Sequence, residues 1–293
     1  MKILLTGGTG QVGYELERSL QGLGEVVVLG RERMDLADLD SVRDAILEVR
    51  PALIVNPAAY TAVDKAETEP ELAMRINGEA PAVMAETARK LGAAIVHYST
   101  DYVFDGSKAG AYTESDPTCP INVYGRTKLA GEQAIQASGV PHLIFRTSWV
   151  YGMRGKNFLL TMRRLAQERD ELRVVADQHG APTWCRTIAD GTAYALASLR
   201  NHNGDIALDQ DLLRERSGLY HLAAQGQTTW HGFAQTIIAH WSMERKPTVA
   251  PIATSDYPLP ARRPANSVLS CERFVGTFCR LPRWDSALRL CLE

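Results

Sequence analysis

Tyr124-Gly125-Arg126-Thr127-Lys128 sets a phenol and an ammonium four residues apart, the spacing that brings two side chains onto one face of a helix. A cation beside a phenol favours the phenolate. At ~5 Å and an effective dielectric of ~20 the attraction is worth roughly 3 kcal/mol, or about two pKa units below an ordinary tyrosine. Tyr124 is therefore expected to act as a general acid with Lys128 tuning it. Taken alone, such a pair is more often a solvated pair on an exposed helix. Thr100, just past the apolar run Ala94 to Tyr98, adds a hydroxyl that can hydrogen-bond a carbonyl oxygen. Phenol, lysine and hydroxyl together make a carbonyl-reducing site.

A reductase of this kind needs a hydride donor, and the N-terminus offers a place for one. Lys2 to Leu5 is an apolar run that leads into Thr6-Gly7-Gly8-Thr9-Gly10-Gln11-Val12-Gly13, followed by Leu16, Ser19 and Leu20 at helical spacing. Gly7, Gly10 and Gly13 permit a tight turn and close approach of a pyrophosphate to the N–H groups of a helix start. At the end of the next strand, Gly30-Arg31-Glu32-Arg33 stands where dinucleotide folds read the ribose 2′ position. Arg31 and Arg33 favour a 2′-phosphate and hence NADPH; Glu32 leaves NADH open through the acidic role.

These groups must be positioned by regular elements. Glu25 to Leu29 reads as a strand covered on both faces, Val42, Ala45, Ile46 and Val49 as one face of a helix ending before Pro51, and Leu53 to Asn56 as another buried strand. A long helix is expected from about Pro70 to Gly92, with Gly78 and Pro81 as weak points, then a strand from Ala94, a helix over about Asn122 to Ala137 and a strand at His142 to Thr147. Short alternating strands and helices predict an α/β fold, a doubly wound parallel sheet of the Rossmann-like kind, with ligands at the carboxyl ends of its strands. Residues 1–150 would form the dinucleotide-binding domain. Residues 151–293, with helices near Asn157 to Arg169, Thr187 to Arg200 and Thr229 to Trp241, would be mainly a smaller mixed α/β substrate-binding part, with segments able to return to the first domain. Asn201 to Ser217 reads as a polar surface insertion.

Composition excludes other classes. Over 293 residues, hydrophobic residues make up 45% and charged residues 23%, close to the averages of globular proteins. The net charge of -2 gives no electrostatic reason to expect nucleic acid or an anionic membrane as partner. No run approaches a membrane span or a signal-peptide core, so cytoplasmic residence is the default. The five cysteines are scattered and the seven histidines form no metal motif, so reduced structural thiols and no zinc are expected.

The glycine spacing, Thr100 and Tyr-x-x-x-Lys, in that order, resemble the extended short-chain dehydrogenase/reductases. Ser99 to Gly106, Asn122 to Gly125 and Arg146 to Gly152 are similar, more narrowly, to the dTDP-4-dehydrorhamnose reductase family, as are Asn56 to Asp64, Gly180 to Thr183 and Arg263 to Ser267. The resemblance implies reduction of a nucleotide-linked 4-keto sugar, dTDP-4-dehydro-L-rhamnose, by NADPH or NADH. It places Gln11, Val12, Ala59, Tyr60 and Thr61 along the cofactor, with Asp35 and Leu36 at its adenine or ribose. It places Thr100, Asp101, Tyr124, Lys128 and Trp149 at the sugar nucleotide, and Arg262 and Arg263 near its diphosphate. Some members are described with a magnesium-bridged dimer; Glu15 matches one ligand, but Arg186 stands where an acid is expected, so no required metal is predicted and homodimer or monomer stays open. Two other readings remain: an epimerase or dehydratase of the same fold, although Asp101 is followed by Tyr102 where such dehydratases carry a glutamate, and a non-catalytic regulatory subunit, because the beta subunit of methionine adenosyltransferase resembles this family.

Overall fold

The computed structural model describes residues 1–200, 207–242 and 246–293. The chain runs through β1 (Lys2–Thr6), α1 (Gln11–Ser19), β2 (Glu25–Leu29), α2 (Leu39–Val49), β3 (Leu53–Asn56), α3 (Val63–Ala66), α4 (Pro70–Met74), α5 (Ala80–Leu91), β4 (Ala94–Thr100), α6 (Val123–Ser138) and β5 (His142–Thr147). It continues through β6 (Val150–Tyr151), α7 (Phe158–Glu168), β7 (Glu171–Val175), β8 (His179–Gly180), β9 (Thr183–Trp184), α8 (Cys185–Ser198) and α9 (Gln210–Glu215). The last elements are β10 (Gly218–His221), β11 (Thr228–Thr229), α10 (Trp230–His240), β12 (Thr248–Ile252), α11 (Glu272–Thr277) and α12 (Trp284–Leu292).

Side chains alternate across a strand, and here both faces of the strands are apolar. Ile3, Leu5, Leu53, Val55, Val96 and Phe145 enter one core with α1, α8 and α11. Leu4, Ile54, Ile95 and Ile144 enter another with α2, α5 and α6. Among the described residues the main sheet has six strands in the order β10-β5-β4-β3-β1-β2, every neighbouring pair parallel. This is the doubly wound sheet expected from the alternation. A third core gathers Tyr151, Leu159, Met162, Phe233, Ile237 and Leu288 from β6, α7, α10 and α12. The chain leaves this region through α8 and β10, which pack on and extend the main sheet.

β2 is covered on both faces as expected, with Val26 and Val28 against one core and Val27 and Leu29 against the other, although it is an edge strand and its valines are only partly buried. Two expectations are corrected. The helix expected from Pro70 to Gly92 is broken by a π-helical turn at Arg75–Glu79. Pro81 has no N–H for the carbonyl of Asn77, and α6 comes so close there that a Cβ on Gly131 would collide with that carbonyl oxygen. Finally, the described part of Asn201 to Ser217 is not a polar surface insertion: α9 lies within it, and Leu208 and Leu213 are buried in the sheet's core. Residues 201–206 of that segment lie outside the described residues. No described helix is long and apolar enough to cross a membrane, and the five cysteines are free thiols.

Candidate active site

β1 turns sharply at Gly7, whose φ of +58° is the left-handed region that favours glycine. A Cβ on Gly13 would collide with the Gly7 carbonyl oxygen, so α1 starts directly against the turn. No side chain caps that start, which leaves its N–H groups and the positive end of the helix dipole free for an anion. From this turn a cavity of about 1160 Å³ follows the carboxyl ends of the strands as far as Trp149 and Trp230.

Most residues singled out from the sequence meet in this cavity. Gly7, Gly10, Gln11, Val12 and Gly13 line one end, with Arg31, Asp35 and Leu36 beyond β2 and Ala59 and Thr61 beyond β3. Thr100, Asp101, Tyr124, Lys128 and Trp149 line the other end. Ser99 Oγ, Asp101 Oδ2 and Thr147 Oγ1, on cavity-lining residues, are buried without hydrogen-bond partners. With the glycine cradle, they fit an extended polar ligand such as a dinucleotide.

Three residues are placed elsewhere. Tyr60 gives its hydroxyl to Glu69 Oε2 at 2.6 Å, and its ring packs in the small cluster that includes Tyr124. Arg263 grips both oxygens of Asp64, at 2.5 and 2.7 Å, and Arg262 does not line the cavity. Arg31 carries an exposed ion pair to Asp35 at 3.1 Å, weak enough to yield to a stronger anion.

The start of α6 fixes Tyr124 and sets its place beside Thr100. The side chain of Asn122 caps it by accepting from Gly125 N at 2.8 Å, a common way of anchoring a first turn. Gly125 is required because a Cβ there would strike the Tyr102 carbonyl oxygen. Tyr124 therefore sits close to Tyr102, ring edge to ring face at 6.0 Å, with Thr100 close enough to its phenol to lower its pKa. Thr100 gives its own proton to Asp101 Oδ1 at 3.0 Å.

Burial dominates the electrostatics. It pushes the Tyr124 phenol up to about 12, with the Thr100 side chain pulling the other way. The expectation that Lys128 would lower this phenol is corrected: burial raises it, the nearby Asp101 carboxylate raises it further, and Lys128 is not among the groups that shift it. Burial also brings Lys128 down to about 8 and raises Asp101 to about 7. Lys128 makes a contact that sequence reasoning missed, His97 Nε2 at 3.3 Å. His97 lies within an apolar strand, where a histidine reads simply as core.

Trp149 adopts a left-handed φ of 47°, a strained value for a bulky residue. Its indole stacks on Trp230 at 3.6 Å and 5°, and its ring atoms leave no room for a Cβ at Gly180. Trp230, Phe158 and Lys156 also line the cavity and were missed, since no local spacing connects α10 with the end of β5. Glu15 on α1 is engaged by Arg186 Nε at 3.0 Å, and Asp190 on α8 accepts from Ser19 Oγ at 2.7 Å. Among the described residues no three His, Cys, Asp or Glu side chains gather as metal ligands would.

A parallel doubly wound sheet, a glycine turn at β1 and a Thr, Tyr and Lys group at the other end of the same cavity define the class of nicotinamide-dependent short-chain dehydrogenase/reductases. The RmlD substrate binding domain family matches residues 1–293, and the chain belongs to that family. It is 51% identical to the dTDP-4-dehydrorhamnose reductase of Burkholderia thailandensis, over 100% of this chain and 98% of that one. It is 45% identical to that of Escherichia coli K12, over 100% and 97%. The crystal structure of dTDP-4-dehydrorhamnose reductase from Bacillus anthracis in complex with NADP superposes with a TM-score of 0.87 at 32% identity, covering 99% of this chain and 98% of that one.

Proposed function

We propose that this chain reduces the 4-keto group of dTDP-4-dehydro-L-rhamnose to give dTDP-L-rhamnose, with NADPH preferred and NADH possible. The observation that carries the reading is the single cavity joining the glycine turn to Thr100, Tyr124 and Lys128, in a chain whose full-length relatives are reductases of this kind.

The turn from Gly7 to Gly13 holds the cofactor's diphosphate on the N–H groups of α1. Arg31 reaches the 2′-phosphate, and Asp35 and Leu36 flank the adenine end. When bound, the nicotinamide supplies the hydride. Thr100 directs the sugar's carbonyl oxygen towards Tyr124, whose phenol is neutral at pH 7 and gives its proton to the oxygen as negative charge develops there. The Lys128 ammonium then stabilises the phenolate charge and can return a proton to it. Trp149, held by Trp230 and Gly180, forms the apolar wall for the sugar ring. The third core, built around α7, α10 and α12, carries this substrate side.

The test is oxidation of NADPH by the purified chain supplied with enzymatically generated dTDP-4-dehydro-L-rhamnose, with NADH in parallel. Oxidation matched mole for mole by dTDP-L-rhamnose, and reduced about 10²- to 10⁴-fold in Tyr124→Phe with cofactor affinity kept, is the expected result. No oxidation with either cofactor would overturn the assignment.

A further inference from the structure

Lys128 is 2% exposed and its ammonium lies against a strand residue that the reduction chemistry does not use. A buried ammonium needs acceptors for its N–H groups. The acceptor available in the protein itself is His97 Nε2, at 3.3 Å. His97 is completely buried; its Nδ1 lies 3.1 Å from Asn56 Nδ2, and Asn56 Oδ1 lies 2.6 Å from the Thr6 hydroxyl. Four side chains from β1, β3, β4 and α6 thus form one buried line, from the glycine turn to the site lysine.

The line has two self-consistent polarities, because imidazole and amide can each present a donor or an acceptor. If the Asn56 nitrogen donates to Nδ1, the imidazole proton sits on Nε2 and opposes the ammonium. If the Asn56 oxygen accepts from Nδ1–H, then Nε2 carries a lone pair and accepts from Lys128. The placed atoms correspond to the first arrangement; the second turns the Asn56 amide over, exchanging its nitrogen and oxygen within the same outline, so that its nitrogen donates to Thr6 Oγ1. That oxygen also receives Ala58 N–H at 3.3 Å, and the hydroxyl proton is free to point into the cavity that Thr6 lines. The second polarity gives the charged Lys128 an acceptor at Nε2 and leaves no two donors facing each other along the line.

We propose that His97 is the positioning residue of this site: its Nε2 accepts from the Lys128 ammonium and holds Lys128 charged and in place, while Asn56 and Thr6 fix the tautomer that allows it. The inference rests on the reading that Tyr124 and Lys128 carry the reduction. The other titratable or charged groups around Lys128 are Tyr124 and Glu132 on α6, Asp101 and Tyr102 after β4, and Arg146 on β5, whose charge is taken up by Glu132 in a bidentate pair at 2.7 and 2.9 Å. Glu132 favours the ammonium through space, and burial of both His97 and Lys128 opposes charge. A neutral His97 acceptor therefore acts in the same direction as Glu132.

Two measurements test this. In the unaltered chain, nitrogen-15 NMR of the histidine rings at pH 7 reads the tautomer without turnover or substitution; His97 protonated on Nδ1 is expected, and His97 protonated on Nε2 overturns the proposal. The alkaline limb of kcat is then compared in the parent, His97→Leu and His97→Gln. Loss of a hydrogen bond to a charged group moves that limb down by about one to two pH units in His97→Leu, whereas the side-chain oxygen of His97→Gln brings it back towards the parent. A folded His97→Leu protein with an unmoved limb, or a glutamine variant that behaves like the leucine one, overturns the proposal. Should His97→Leu fail to fold, the tautomer decides. A parent that does not oxidise NADPH with the keto sugar removes the functional reading and leaves the tautomer test intact.

Discussion

Asp101 offers a quantitative check on the electrostatics of the site. It is 3% exposed, one carboxylate oxygen accepts from Thr100 and the other lacks a partner. Burial raises its pKa from 3.8 to about 7, which at about 1.4 kcal/mol per pH unit corresponds to about 4 kcal/mol. The sign follows from proton binding. Between pH 4 and pH 7 the folded chain holds a proton on Asp101 that the unfolded chain has lost, so stability falls as pH rises through this window and is level on either side. Asp101→Asn cannot ionise and escapes the loss. The amide's burial shifts the variant's stability by a constant amount, but the difference between variant and parent should grow in the variant's favour by up to about 4 kcal/mol from pH 4 to pH 8. Denaturant unfolding of both chains across that range, without nucleotide, measures it. A difference that stays constant with pH, or moves against the variant as pH rises, would refute the reasoning.

Other consequences can be measured separately. Glu132→Ala leaves the buried Arg146 guanidinium, whose Nη1 already lacks a partner, without its counter-charge; urea unfolding should show a loss of about 3 to 5 kcal/mol, and a loss under about 1 kcal/mol contradicts the pairing. Gly125→Ala drives a methyl into the Tyr102 carbonyl and displaces Tyr124; kcat should fall about 10²-fold while cofactor affinity, read by fluorescence titration, stays within a few-fold. Trp230→Ala removes the stack that holds Trp149; KM for the sugar nucleotide should rise roughly tenfold with cofactor affinity unchanged, and an equal weakening of both would place Trp230 on the cofactor side.

Much of the main sheet was legible because each strand is short, apolar and followed by a helix with a recognisable start or stop. The information lost was relational. Val26 to Val28 look the same at a sheet's edge as at its centre, since a run of valines does not name its neighbours. Pro81 announced a disturbance in a helix, but whether it makes a kink, a stop or a π-turn depends on α6 pressing Gly131 against the Asn77 carbonyl. Leu208 and Leu213 belong to a stretch whose overall polarity hid two residues that complete the sheet's core.

The site divides along the same line. Gly7, Thr100, Tyr124 and Lys128 are recognisable because the proposed chemistry asks for those residue types at strand ends and at one spacing on a helix. Trp230 and His97 hold two of the site's side chains, and neither is near its partner in sequence. Trp230 reaches Trp149 only after the third core has folded against β5, and His97 meets Lys128 only when β4 packs under α6. The pKa values expose the same limit. The attraction between phenol and ammonium follows from spacing alone, whereas the desolvation and the Asp101 charge that raise the Tyr124 phenol depend on what packs around it. A sequence thus shows candidate reacting groups before it shows their acidity, because acidity belongs to the packing around them.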